Sequence, residues 1–378
     1  MADLQDVAVV MALYNGAPWI ERTLGYIRAQ SHAPREIVVV DDGSGDDGPE
    51  IVRAVPGVTL LRSPGKGPNE ARRHGIAHTA APLVAVLDQD DAWHAEHLRL
   101  LATALERHPD APAAAAGVRL FERDEDLAFD APSLDAGRRD PWAWFPASML
   151  HSPSGVVMRR SALDAVGGWT TAFSGAGDFY MWLRLGTAGP FVFNRPVTYG
   201  WRQDPRSHSA QLRGGRAAEY LGYLLAAADD ATAHYVRAHP DERAHRERQR
   251  AAGHALEDVV LGWIAGDAAR LQAGARALDA NTAGESDAYF DDVWTTLFWY
   301  AGPALPAFAG GERAAWRFLL DTWPRDARTR WPFVRGKAAA PLPVRELAVR
   351  ALRRPADAEA WTLAARAAIG RTRRRVQG

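Results

Sequence analysis

The sequence predicts an α/β domain with a mostly parallel central sheet, followed by an α-helical C-terminal region, and three observations lead there. Short apolar runs alternate with helical patterns through the first half, as strand-helix-strand units do. Two of those runs, Val38-Val39-Val40 and Leu83-Val84-Ala85-Val86-Leu87, carry no polar residue, as expected of strands covered on both faces, and each ends at a cluster of acids. Beyond about Leu212 the composition shifts to Ala, Arg, Leu and Trp at helical spacing with few strand signals. We therefore divide the chain into residues 1–212 and a helical region, 213–378.

Val7 to Ala12 reads as the first strand. Pro18 to Ala29 reads as a helix with proline near its start, where the missing N–H costs nothing. Ile37 to Val40 is the second strand, Gly48 to Val55 a helix, Val58 to Leu61 a third strand and Asn69 to His78 a helix. Leu83 to Leu87 is a fourth strand, Glu96 to Arg107 a helix and Ala113 to Phe121 a further strand. From about Asp124 to Phe145 the pattern loosens into a charged, proline-containing loop, and Gly155 to Met158 resumes strand character.

A chain of 378 residues, 47% hydrophobic, can bury a large core in two or three domains. The net charge of -1 provides no global field for nucleic acid, so an anionic ligand must be met by local basic residues. Cysteine is absent, which excludes disulfides, thiolate metal sites and a cysteine nucleophile. The N-terminus lacks the basic start and apolar core of a signal peptide, and no stretch reaches the roughly 18 apolar residues of a membrane span. A cytoplasmic protein is expected. The basic close, Arg371-Thr372-Arg373-Arg374-Arg375, is either a solvated end or a peripheral contact with the anionic inner face of a membrane.

The acids at the strand ends carry the chemistry. In Asp88-Gln89-Asp90-Asp91, three carboxylates in four positions repel one another and need water, a cation or basic neighbours; Mg²⁺ or Mn²⁺ with a phosphate ligand suits them, and a solvated capping turn is the plainer alternative. In open α/β sheets ligands bind at the carboxyl ends of strands, which favours the former. Tyr14 and Asn15 follow the first strand at the same edge, and a ring there can pack on a nucleobase. A carboxylate at Asp41 or Asp42 can accept the imino proton of a uracil or the hydroxyl protons of a ribose. No GxGxxG follows the first strand and no GxxxxGK occurs, which argues against a dinucleotide-binding dehydrogenase or a P-loop NTPase.

In order and spacing these pieces resemble the family 2 glycosyltransferases of the GT-A fold. The likeness rests on Ala12, Tyr14 and Asn15; Val40-Asp41-Asp42-Gly43-Ser44; Gly67, Ala71-Arg72 and Gly75; and Asp88-Gln89-Asp90-Asp91. It continues through Val166-Gly167-Gly168-Trp169 and Gly175-Ala176-Gly177-Asp178-Phe179-Tyr180-Met181-Trp182-Leu183-Arg184 to Arg202 and Ser209. The QxxRW element and membrane helices of processive synthases are missing, so transfer of a single sugar is expected.

The resemblance implies a nucleotide site of Ala12, Tyr14, Asn15, Asp41, Asp42, Arg72 and Asp88, with Tyr14 and Asp42 reading the base of a nucleotide-sugar donor, UDP-linked by preference. It implies a Mn²⁺ or Mg²⁺ ion on Asp90 and Asp88 against the donor diphosphate, with Asp91 orienting its neighbours and Lys66 and Arg73 adding positive charge. Asp178 matches the general base of an inverting transfer to a hydroxyl of a glycan, lipid carrier or small molecule. Three departures stand out. The acid usual before that Asp is Gly177, the Asn usual after Ala-Arg is Arg73, and the metal-ligating His near Arg202 is replaced by Asp204, with His208 four residues on. Either of the last two could complete the metal site. Gly177 and Arg73 also leave open a catalytically silent nucleotide-sugar-binding module; a nucleotidyltransferase, which shares strand-end acids and a metal, is the third reading. Trp142, Trp144 and Trp201 are candidates for stacking on a sugar ring.

Overall fold

The computed structural model describes residues 5–144, 152–173, 175–204, 207, 217–285 and 307–324. They belong to two compact units, one drawn from Met1–Trp142 and Leu150–Asp204, the other from Ala143–Met149 and Pro205–Gly378. The division inferred at 212/213 falls among residues 208–216, outside the described ones.

The first unit is built on a nine-stranded sheet of order β3-β2-β1-β4-β8-β6-β9-β5, with β7 paired to β9. These strands are β1 (Val7–Leu13), β2 (Glu36–Asp41), β3 (Thr59–Arg62), β4 (Leu83–Val86), β5 (Ala92–Trp93), β6 (Ala113–Phe121), β7 (Ala136–Arg139), β8 (Val156–Arg159) and β9 (Phe191–Arg202). Strands β3, β2, β1 and β4 are mutually parallel; β8 then runs antiparallel between β4 and β6, so the sheet is mixed beyond β4. The parallel half forms because Val7 to Met11 and Leu83 to Val86 are apolar without interruption and helices cover both faces.

Helices α1 (Ile20–Arg28), α2 (Gly48–Arg53), α3 (Pro68–Ala77), α4 (His97–Arg107), α5 (Arg160–Ala165) and α6 (Gly177–Gly186) connect and cover the strands. One of them is seated unusually close. A Cβ at Gly75 of α3 would lie 2.5 Å from Val10 Cγ1 and 3.0 Å from Val40 Cγ2, so only glycine lets this helix press against β1 and β2. Ala71, one turn earlier, packs on Val38 and Val40, with half-buried Ala12 beside them. The fit sets the height of Arg72, the next residue along.

Strand β9 and the short β5 and β7 are not among the predicted elements. β9 reads Phe-Val-Phe-Asn-Arg-Pro-Val-Thr-Tyr-Gly-Trp-Arg, and an internal proline argues against a strand interior. The sheet absorbs it through a register shift opposite Gly117, where a Cβ would lie 2.4 Å from the Arg195 carbonyl oxygen.

The second unit contains the helices α7 (Ala217–Ala238), α8 (Arg243–Ala265), α9 (Ala268–Asn281) and α10 (Gly311–Thr322). Gly266, at φ 69°, ends α8, and Asp267 donates its N–H to the Gly262 carbonyl at 2.8 Å while its carboxylate caps α9 through Arg270 N. Within this unit Arg246 is buried against Tyr235, Glu242 and Gln249, and Trp263 Nε1 donates to the Ala315 carbonyl. No helix among the described residues is long and apolar enough to cross a membrane. The basic run at 371–375 lies outside the described residues.

Candidate functional site

Because β1, β2 and β4 are parallel, their carboxyl ends deliver Tyr14-Asn15, Asp41-Asp42 and the acid loop at 88–91 to one edge of the sheet. The acid loop is held from three directions. Gln89 bonds the backbone of Tyr14 twice, accepting from its N–H at 2.8 Å and donating to its carbonyl at 3.0 Å. Asp91 is buried and accepts from Ser154 Oγ at 2.6 Å, Ser152 Oγ at 3.1 Å and the Arg202 N–H at 2.9 Å. Arg202 also donates through Nε to the Asp90 carbonyl at 2.9 Å, and its guanidinium lies 4.4 Å from the Trp19 ring and 4.3 Å from that of Phe121. Asp91 is thus the loop's anchor, and Asp88 and Asp90 are left toward the edge.

On the β1 and β2 side, Asn15 takes a left-handed φ of 48°, accepts from Gly45 N–H at 2.8 Å through its side chain and donates its own N–H to Ser44 Oγ. Asp41 closes the same turn by accepting from Ser44 N–H at 2.9 Å. The turn leaves the Tyr14 ring 57% exposed, the one large apolar side chain so exposed among the described residues. Asp42 accepts from Gly67 N–H at 2.7 Å through Oδ2; its Oδ1 is buried outside normal hydrogen-bond geometry, and the Ser63 hydroxyl also favours the carboxylate. Burial pushes the Asp42 carboxyl up, opposed by the Gly67 N–H.

Arg72 links this edge to Asp178. Its Nη2 lies 2.5 Å from Asp88 Oδ1 and its Nη1 3.3 Å from Asn69 Oδ1, with the Trp169 ring 5.7 Å from the guanidinium carbon. Trp169 is placed by two glycines at positive φ, Gly167 at 90° and Gly168 at 78°, and its Nε1 donates to Asn69 Oδ1 at 3.2 Å. Asp178 is partly buried in the first turn of α6, where its Oδ1 accepts from Phe179 N–H. Burial raises its pKa, Arg72 opposes that, and the Asp88 charge adds to it. The base candidate therefore shares one electrostatic neighbourhood with Arg72 and Asp88.

The acid loop suits a divalent cation in part. Asp90 is pushed up to about 6 by burial and then by the charge of Asp88, with Asp204 adding to it and Arg202 opposing. Nearby positive charge would relieve that crowding. No group of three or more potential ligands is close enough to form a cage among the described residues. That is compatible with Mg²⁺ or Mn²⁺, which are commonly held by one or two carboxylates plus substrate phosphates. Asp204 is within electrostatic range of Asp90, and His208 and Ser209 lie outside the described residues.

Two tryptophans are settled. Trp142 is fully buried and donates through Nε1 to the Leu183 carbonyl at 3.0 Å, so it packs the core and cannot stack on a sugar. Trp201 is half-buried and packs on the sheet core; the Trp144 side chain is outside the described residues. Sequence reasoning missed Gln89, Ser152, Ser154 and Asn69. Their partners lie 61 to 100 residues away for the bonds to Tyr14, Asp91 and Trp169, and no local pattern announces such pairings.

Residues 8–167 match the model of the glycosyl transferase family 2. This stretch is a family 2 glycosyl transferase domain. Asp178, Arg202 and Asp204 of the site lie beyond the matched residues. The succinoglycan biosynthesis proteins ExoO and ExoU of Rhizobium meliloti are 39% and 38% identical to the chain over 99 and 91 residues, which is 25% and 23% of this chain and 28% and 26% of theirs. The pre-mycofactocin glycosyltransferase of Mycobacterium tuberculosis is 29% identical over 216 residues, 55% of this chain and 44% of its own. The chain thus spans less than half the length of the curated relatives it matches. In fold the chain is similar to S. aureus TarS, solved with UDP-GlcNAc: TM-score 0.54 at 16% identity, covering 89% of this chain and 93% of that one. The TarS complex with UDP gives a TM-score of 0.51 at 15% identity.

Proposed function

We propose that the chain is an inverting, metal-dependent, non-processive glycosyltransferase that moves one sugar from a UDP-linked donor to a hydroxyl of a glycan, lipid carrier or small molecule. The observation that carries this reading is the bonded pair of Arg72 from α3 and Asp88 from the end of β4, with Asp178 of α6 within electrostatic range of both. Direct displacement needs a nucleotide leaving group and an acceptor-activating carboxylate near one another, and the shared electrostatic neighbourhood of these three side chains supports that reading.

In this reading the exposed Tyr14 ring packs on the nucleobase, and the Asp42 carboxylate accepts the imino N–H of a uracil. Arg72 brings positive charge to the donor phosphates. Asp90, with Asp88, would hold Mn²⁺ or Mg²⁺, and Asp204 or His208 is the candidate for a further ligand. When bound, the cation supplies charge stabilisation to the departing nucleoside diphosphate, an effect of several kcal/mol. Asp178 takes the acceptor hydroxyl proton as that oxygen bonds to the anomeric carbon and the bond from carbon to phosphate oxygen breaks on the opposite face. Its raised pKa makes it a stronger base than a solvated aspartate.

The test is thermal stabilisation by UDP-, GDP- and dTDP-sugars with and without Mn²⁺, followed by transfer to a panel of hydroxyl acceptors. Stabilisation by UDP-sugars only with the cation, followed by transfer with inversion, is the expected result. Equal stabilisation by GDP-sugars would remove the base assignment, and stabilisation with no transfer to any acceptor would favour a silent nucleotide-sugar-binding module.

A further inference from the structure

Gly177 is a glycine for want of space. It opens α6 at an ordinary φ, since it is not among the glycines held at positive φ, so its backbone makes no demand that an alanine could not meet. What forbids a side chain there is Asn69. A Cβ at 177 would lie 2.3 Å from Asn69 Nδ2 and 2.6 Å from both its Cγ and its Oδ1. The carboxamide cannot easily swing aside. Asn69 is buried, and its Oδ1 accepts from both Trp169 Nε1 at 3.2 Å and Arg72 Nη1 at 3.3 Å, so rotation breaks two bonds in a closed site.

We infer that Asn69 is a positioning residue of the donor site. It braces Arg72 against Asp88 and occupies the volume beside Asp178 where a side chain at 177 would stand. The two positions form one unit contributed by α3 and α6. Where the sequence pattern calls for an acid immediately before Asp178, this chain holds a neutral carboxamide from the other helix, and Asp178 is left as the one carboxylate of that turn. Because Asn69 holds Arg72 by one nitrogen while Asp88 takes another, its effect is on the orientation of the guanidinium rather than on its charge. The inference rests on the glycosyltransferase reading for its kinetic consequence, while the steric coupling of 69 and 177 stands apart from it.

The experiment is a double-mutant cycle of Asn69→Ala, Gly177→Ala and the pair, measured both as donor KM and kcat and as melting temperature. Asn69→Ala is expected to raise donor KM by about tenfold with kcat changed less than about threefold, the pattern of lost ground-state binding. Gly177→Ala alone is expected to lower kcat/KM by at least about tenfold and to lower the melting temperature, whereas adding it to Asn69→Ala costs little more in either measure. Additive losses would overturn the unit, and a fall in kcat at unchanged KM for Asn69→Ala would overturn its action through Arg72. If the wild type transfers no sugar at all, the functional reading fails, but the melting-temperature cycle still decides whether 69 and 177 are coupled.

Discussion

Arg72 Nη2 stands 2.5 Å from Asp88 Oδ1, joining the helix after β3 to the loop after β4 at the edge where we propose that the donor phosphates bind. The pair is largely screened from solvent, with the arginine side chain 11% and the aspartate 27% exposed. Arg72→Met should therefore cost binding rather than folding alone. We expect donor affinity to fall roughly 10- to 100-fold, about 1.5 to 3 kcal/mol for a hydrogen bond to a charged group, as measured by calorimetry with UDP.

Tyr14 gives the contrasting case. Its ring is mostly exposed, so Tyr14→Ala should leave the melting temperature almost unchanged, within about 0.5 kcal/mol of stability. Loss of stacking on the base is expected to weaken UDP binding by about 1 to 3 kcal/mol, and retained affinity would show that the ring does not touch the base.

Asp91 and Asp90 should separate in the same assays. Asp91 satisfies three donors in the interior, and Asp91→Ala strands the Arg202 N–H and leaves the Ser152 and Ser154 hydroxyls only each other and Asp88, costing about 1 to 3 kcal/mol of stability in denaturant unfolding. Asp90→Ala should keep the fold and abolish the part of UDP stabilisation that depends on Mn²⁺.

The Asp90 carboxyl also sets a pH dependence. Its pKa in the folded protein is raised from 3.8 to about 6, so the native state holds this proton more tightly than the unfolded chain. Ionisation of Asp90 thus costs stability: the penalty is absent below pH 3.8, develops as pH rises toward 6 and is complete above it. Buried Asp91 and half-buried Asp42 and Asp178 are shifted in the same direction, so the diagnostic quantity is the difference from Asp90→Asn. Chemical denaturation of the metal-free protein should show the wild type losing stability relative to Asp90→Asn across that window, and Mn²⁺ with UDP should remove the difference.

Much of this arrangement was legible in the sequence because buried parallel strands announce themselves. Val38 to Val40 and Leu83 to Leu87 are apolar on both faces, and acids at their ends have one edge to go to once the strands are parallel. Strand β9 was not legible, because Pro196 breaks its pattern and the compensating bulge lies opposite Gly117, some eighty residues earlier. The difference between neighbouring acids was only partly legible. Asp91 acquires its anchoring bonds from Ser152, Ser154 and Arg202, which arrive by tertiary folding. Gly177 read as a missing acid, and its physical cause, the Asn69 carboxamide in the same space, appears only when α3 and α6 are brought together.

The central claim is that Asp178 removes the acceptor proton. Its most direct measurement is Asp178→Asn, which keeps the shape of the side chain and removes its basicity, assayed for UDP and Mn²⁺ binding by calorimetry and for sugar transfer in the same preparation. Donor affinity is expected within about threefold of wild type, with transfer reduced by at least about a hundredfold. Transfer at the wild-type rate would contradict it.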